Sequence, residues 1–255
     1  EQQALDVAAI HSLHRPRPPA LFHLPPFRGP HHTASAVALV GGGSHPRPGE
    51  ISMAHHGVLF LDEMPEFDRR VLEVLREPLE TGEVSIARAA RQTTFPARFQ
   101  LVAAMNPCPC GYFGDPQRSC GYSCEKARRY QGRLSGPLLD RIDLHLEVSA
   151  VKPEELVSLA PGEPSTRVRE RVKETRARQL ARQGKLNQYL STRELEPVLA
   201  VHGSWLSEAM QRMALSARSL HRTLRVARTL ADMSGDDKID TAHLAEALSY
   251  RLSSP

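Results

Sequence analysis

Asp62 and Glu63 stand side by side at the end of the apolar run Gly57-Val58-Leu59-Phe60-Leu61. A first carboxylate at such a place can hold Mg²⁺ on nucleotide phosphates. A second, one residue on and turned to the other side, can orient an attacking water. This is the Walker B pattern with a catalytic glutamate. Its usual companion is a Gly-x-x-x-x-Gly-Lys-Ser/Thr loop whose backbone cradles phosphates. No such loop occurs: of Lys126, Lys152, Lys173, Lys185 and Lys238, only Lys185 follows a glycine, and Leu186 comes next. The residues predict half of an ATP site.

Four cysteines supply a second chemistry. Cys108, Cys110, Cys120 and Cys124 fall within seventeen positions as C-x-C-x9-C-x3-C, among Pro107, Pro109, Gly111, Gly114, Pro116 and Gly121. In a reducing compartment a tight cysteine quartet favours a metal over disulfides. A loop with so little core gains folding energy from a tetrahedral Zn²⁺. Reduced free thiols are the alternative, because a C-x-C opening is less specific than paired C-x-x-C arms. The pairs His31-His32 and His55-His56 are assigned no chemistry. Adjacent residues on extended backbone point to opposite faces and rarely chelate one ion.

Charge is distributed unevenly. The net formal charge is only +4, but residues 167–185 read RVRERVKETRARQLARQGK, with Glu170 and Glu174 as the only acids. Such a run is either a solvated helix face or a surface that tracks phosphates. Hydrophobic content of 40% and charged content of 24% are those of an ordinary soluble domain. No apolar run approaches the ~20 residues that span a bilayer, so no membrane partner is expected. The chain opens on Glu1-Gln2-Gln3-Ala4, without an initiator Met or a secretory leader. It reads as a piece of something longer, with the cytoplasm as its expected compartment.

The elements that must position these residues follow from periodicity and turn chemistry. A helix over residues 4–14 gives way to a Pro-rich stretch, 15–30, that cannot be a regular element. A short helix at 49–55 leads into the strand carrying Asp62 and Glu63, which reads as buried on both faces of a parallel sheet. Beyond Pro65 one helix is signalled by Asp68 and by Val71, Leu72, Val74, Leu75 and Leu79, and stopped by Thr81-Gly82. Residues 84–95 read as a β-hairpin with a basic tip, Arg88 and Arg91. Residues 99–106 form a second buried strand ending in Asn106. In a parallel sheet its amide lies beside Asp62 and Glu63, where it can bond a γ-phosphate or the attacking water; alternatively it only starts the turn at Pro107. A helix at 137–141 and a third strand, 144–148, follow. The fold class is α/β with a parallel sheet over residues 1–150, a linker at 151–164 and an all-α second domain at 165–255. In that domain Leu220, Leu224, Ala227 and Ala231 share one helix side, and Arg218, Arg222 and Arg225 share the other. The last helix starts at Asp240 or Thr241.

GVLFLDEMPEF, PARFQLVAAMNPCPCG and RLSGPLLDRIDLHLEV resemble AAA+ ATPases of the magnesium-chelatase-like group. PFRGPHHTASAVALVGGG and PGEISMAHHG narrow the resemblance, over nearly the whole chain, to the competence-protein ComM (YifB-type) family. It implies a truncated P-loop NTPase core lacking its Walker A segment, followed by a helical lid. It also implies ATP and Mg²⁺ as cofactors, a homo-oligomeric, hexameric ring in the full-length protein, and DNA as partner. By the same resemblance Asp62 is the Mg²⁺ ligand, Glu63 the water activator and Asn106 the sensor-1 residue. Arg141 is the arginine finger for a neighbouring subunit's ATP, and Arg218 is sensor 2, with Arg222 its nearest rival. The 84–95 hairpin matches a substrate-gripping insertion, which makes Arg88 and Arg91 candidate nucleic-acid contacts. The implied function is a helicase driving branch migration in natural transformation. The alternative is a motor that remodels a chelatase partner for metal insertion. Without the phosphate loop, the chain itself is expected to hydrolyse no ATP.

Overall fold

The computed structural model describes residues 1–14, 16–88, 91–114, 118–121, 124–149, 151 and 162–251, apart from the side chains of Arg88, Arg91 and Cys124. The chain divides into two units, Glu1–Arg141 and Ile142–Pro255.

In the first unit α1 (Gln2–Ser12) buries Val7, Ile10 and His11. A two-residue strand β1 (Phe27–Arg28) is followed by α2 (Ala36–Val40), whose first turn is capped by the Ser35 hydroxyl accepting from the Ala38 N–H. A small antiparallel pair, β2 (Gly41–Gly42) and β3 (Arg47–Pro48), leads to α3 (Glu50–Met53) and β4 (Val58–Leu61). Gly41 is required in that pair: its φ is +102°, and a Cβ there would lie 2.1 Å from the Arg47 carbonyl oxygen. The Met53 carbonyl is within 3.0 Å of His11 Nε2, which ties α1 to α3.

The one extended helix expected after Pro65 is two short ones, α4 (Arg69–Glu73) and α5 (Pro78–Thr81). Pro78 has no N–H to continue the ladder, so the chain turns before it. Then come the hairpin strands β5 (Glu83–Arg88) and β6 (Arg91–Pro96), in register from Glu83↔Pro96 to Arg88↔Arg91, and β7 (Gln100–Ala103). Helices α6 (Cys124–Gln131) and α7 (Gly136–Leu139) complete the unit.

The sheet runs β1-β4-β7, all parallel, with Phe27 opposite Val58, Leu59 opposite Leu101 and Leu61 opposite Ala103. Gly57 lets β1 approach: a Cβ there would sit 1.9 Å from the Pro26 carbonyl oxygen, which instead accepts from the Val58 N–H. Only one face of β4 is fully buried. Leu59 and Leu61 are at 0% exposure, while Phe27, stacked on Phe60, is 66% exposed. β7 is likewise not the doubly buried strand that its composition suggests, with Val102 39% exposed. An apolar run reports the capacity for two-sided burial, and here fewer layers are present than the run can accept.

In the second unit, residues 144–149 form no strand, contrary to expectation. Leu144, Leu146 and Val148 alternate correctly but are exposed, Val148 at 90%. No neighbouring strand lies in this unit among the described residues, and a strand without a ladder partner is not stable. The remainder is helical: α8 (Ser165–Gln183), α9 (Thr192–Met213), α10 (Ala217–Ser234) and α11 (Thr241–Ser249). Ser191 and Glu194 form a capping box for α9, and Asp240 caps α11. Leu195, Leu206, Leu224, Ala227, Ala231 and Leu244 form the core. Beside it Asp232, fully buried, is bonded by Arg182, Arg228 and Asn187. Arg251 reaches from the end of the chain to the Ile142 carbonyl (2.6 Å) and the Ser219 hydroxyl (2.8 Å). Among the described residues no helix is long and apolar enough to cross a membrane.

Candidate active site

At the carboxyl end of β4 the backbone turns sharply. Glu63 has φ +50°, a left-handed conformation that costs a non-glycine residue roughly 1–2 kcal/mol. Three hydrogen bonds hold the turn. The Glu63 N–H donates to Asp62 Oδ1 (2.9 Å), the Met64 N–H to the Ala104 carbonyl (2.9 Å), and the Ala104 N–H to the Leu61 carbonyl (2.9 Å). The acidic turn is thereby stapled to the end of β7, three residues before Asn106. Asp62, Glu63 and Asn106 are all exposed at the carboxyl ends of adjacent parallel strands. That edge is where open α/β sheets bind their ligands. Asp62 offers a hard oxygen of the kind Mg²⁺ takes, and Gln131 Nε2 steadies the exit from Asn106 by donating to the Pro107 carbonyl (3.0 Å).

One residue at this edge escaped the sequence reading. His32 Nδ1 lies 3.3 Å from Glu63 Oε2, with its ring 4.1 Å from His31 and edge-on to Phe67 at 6.4 Å. No sequence signal marked it: β1, the strand beside β4 that brings it here, lies in the Pro-rich stretch 15–30 that the sequence reads as irregular. A cleft of about 560 Å³ adjoins it, lined by His32, Thr33, Ser35, Glu66, Asp68 and Arg133 among others.

The other candidates are placed as follows. Arg141, past the end of α7, turns inward: its side chain is 9% exposed, Nη1 donates to the Pro137 carbonyl (2.6 Å), and Nε lies 3.3 Å from Glu80 Oε2. Arg218 is exposed in the first turn of α10. The stripe it heads is not simply solvated. Arg222, 14% exposed, is paired with Asp143 at 2.9 Å, and Arg225 Nε donates to the Leu190 carbonyl (2.9 Å). Arg88 and Arg91 close the hairpin as its last backbone pair, but their side chains, like that of Cys124, lie outside the described residues.

Three of the cysteines converge. Cys108, Cys110 and Cys120 have Sγ separations of 3.3, 3.5 and 3.7 Å. Thiolates at about 2.3 Å from a tetrahedral Zn²⁺ stand roughly 3.8 Å apart, so the trio fits three corners of such a site. Burial acts to raise the Cys108 thiol. Hydrogen bonds from Cys110, the Phe113 backbone and Cys120 outweigh it and hold the thiol down at about 7, toward the thiolate that binds metal.

The histidine pair 55–56 does share a side, because His56 has φ +56° and not the extended geometry that would separate the rings. Their centroids are 3.9 Å apart, and Asp6 Oδ2 lies 3.5 Å from His56 Nε2. The trio has the outline of a metal site but not the protonation. His55 Nδ1 accepts the Arg98 N–H at 2.9 Å, so the neutral ring carries its proton on Nε2 and presents a donor there, not a lone pair.

Residues 1–156 match the family described as magnesium chelatase, subunit ChlI, and residues 162–251 match its C-terminal family. The chain is 51% identical over 231 residues to competence protein ComM of Haemophilus influenzae, covering 89% of this chain and 45% of that protein. It is 47% identical over 255 residues to the Escherichia coli protein YifB, covering 98% and 50%. A more distant relative is the chloroplastic magnesium-chelatase subunit ChlI of Nicotiana tabacum, 29% identical over 216 residues, covering 83% and 45%. The chain spans about half the length of the curated relatives it matches.

Proposed function

The chain belongs to the magnesium chelatase subunit ChlI family, and from that premise we propose that it is part of an ATP-hydrolysing AAA+ ring motor acting on DNA. The observation that carries the reading is the acidic turn Asp62-Glu63 at the carboxyl end of β4, hydrogen-bonded to Ala104 just past the adjacent parallel strand β7 and two residues before Asn106. In this reading Asp62 holds Mg²⁺ on the nucleotide and Glu63 orients the attacking water. Asn106 bonds the terminal phosphate or that water. Mg²⁺, when bound, neutralises the charge that develops on the phosphates. Arg141 serves a neighbouring subunit's nucleotide in a hexameric ring, and leaving Glu80 for that task is part of assembly. Arg218 reports nucleotide from the lid. The hairpin closed by Arg88 and Arg91 grips DNA, as branch migration in transformation requires.

Identity of 51% to a competence protein, against 29% to a chelatase subunit, favours DNA over the remodelling of a metal-insertion partner. A structural Zn²⁺ on Cys108, Cys110, Cys120 and Cys124 belongs to the same proposal, stiffening the loop that follows Asn106. The chain as it stands contains no Gly-x-x-x-x-Gly-Lys-Ser/Thr segment, so by itself it is expected to turn over no ATP. The reading is tested by measuring ATP hydrolysis by the full-length protein with and without DNA. A DNA-stimulated rate supports it. A rate indifferent to DNA but raised by a large chelatase subunit replaces it with the alternative.

A further inference from the structure

The 19-residue helix α8 divides its basic side chains by direction. Its inner side buries Thr175 and Gln179, and two arginines are committed there. Arg178 Nη1 donates to the Asp232 carbonyl and Arg182 Nη2 to the Asp232 carboxylate, both at 2.9 Å. Arg171 is paired with Glu163 at 2.5 Å and Lys173 with Glu170 at 2.9 Å. Arg169 and Arg176 are exposed and make no ion pair or hydrogen bond among the described residues. With Lys173 they occupy positions i, i+4 and i+7, which is one stripe of a helix, on the side away from Thr175. At a rise of 1.5 Å per residue the stripe is about 10.5 Å long. Lys173 is shared with Glu170, so the uncompensated positive charge of the stripe is that of Arg169 and Arg176, two turns apart.

We infer that the outer stripe of α8, Arg169, Lys173 and Arg176, is a contact surface for the phosphate backbone of a nucleic-acid strand. Guanidinium groups suit phosphate oxygens through paired N–H donors. α8 carries no aromatic residue, so it offers no platform for stacking bases, and the surface fits a backbone and not a sequence. The inference rests on the DNA-directed reading above and gives that reading a surface in the helical unit.

The test compares the full-length protein with its R169E/R176E variant, binding a labelled 30-nucleotide single strand of mixed sequence between 50 and 200 mM salt, followed by fluorescence anisotropy. The variant is expected to bind at least tenfold more weakly. Its slope of log affinity against log salt should be flatter by about 1.4, or roughly 0.7 for each of two lost contacts. R169A/R176A should flatten the slope similarly and stands in if charge reversal unfolds the helix. R193E, at an exposed arginine on α9 that also has no partner among the described residues, should change neither quantity. Affinity and slope unchanged in both double variants overturn the inference while leaving DNA as the partner. An equal loss in R193E overturns the assignment to α8. Equally tight binding of polyglutamate overturns nucleic acid as the occupant. A wild-type protein that binds no DNA removes the partner reading and this inference together.

Discussion

His55→Asn is expected to remove much of the chain's acid sensitivity between pH 6.5 and 4. His55 is buried, and burial together with the neighbouring charge of His56 pushes it down to about 4 from an ordinary 6.5. Its Nδ1 accepts the Arg98 N–H, a bond that protonation would convert into a clash of two donors. Between these two values the unfolded chain binds a proton that the folded chain refuses. Stability therefore rises with pH across the window: it is whole above about 6.5 and is lost as pH falls toward 4. The gap from 6.5 to about 4, at 1.36 kcal/mol per pH unit, caps the effect at about 3.4 kcal/mol. Integrated to pH 5, the loss is about 2 kcal/mol. Asp6 favours the charged ring and is the main offset to burial, His56 and Arg98. Asn places an oxygen where Nδ1 stood, keeps the Arg98 N–H satisfied, and does not titrate. His11, also lowered by burial, is present in both proteins and cancels in the comparison. The assay is urea unfolding followed by circular dichroism at pH 7.5 and 5.0 in wild type and variant. Wild type should lose about 2 kcal/mol more than His55→Asn over that interval. Parallel losses in the two proteins would refute the assignment of the acid response to this imidazole.

Asp232→Ala should cost about 3–5 kcal/mol, because it strands Arg228 and Arg182 beside the helical core without their shared carboxylate; a urea midpoint shift worth under 1 kcal/mol would contradict this. Metal-replete protein should release close to one equivalent of Zn²⁺ to a chelator and lose thermal stability as it does so, and less than a tenth of an equivalent by elemental analysis would remove the zinc site. In the full-length protein His32→Ala should lower the maximal rate of ATP hydrolysis with little change in KM, since it frees the Glu63 carboxylate without touching the nucleotide. A changed KM at constant maximal rate would count against that role.

What could be read from the sequence was what chain-local chemistry determines. The strand ending in Asp62-Glu63, the hairpin around Arg88 and Arg91, and the cap at Asp240 are all signalled within a few residues. Features that depend on partners distant in sequence were not legible. Leu144, Leu146 and Val148 have strand periodicity, but a strand exists only with a neighbour to share its hydrogen bonds. His32 meets Glu63 through parallel pairing of β1 with β4, which no local pattern announces. Arg222 and Arg225 lie on the expected helix side and find their partners in Asp143 and the Leu190 carbonyl. His55 and His56 escaped for a different reason. One left-handed residue cancels the alternation of an extended chain, and nothing in the side chain of a histidine marks it for that conformation.

The central claim is that Glu63 orients the water that cleaves ATP at the edge formed with Asp62 and Asn106. Its most direct test is a paired measurement on the full-length protein and its Glu63→Gln variant: the rate of ATP hydrolysis, and the affinity for ATP by equilibrium binding. Gln keeps the size and most of the hydrogen bonding of the side chain but cannot act as a base. The expected result is a rate lower by about 10²–10⁴-fold with ATP still bound. Hydrolysis at the wild-type rate by Glu63→Gln would contradict the claim.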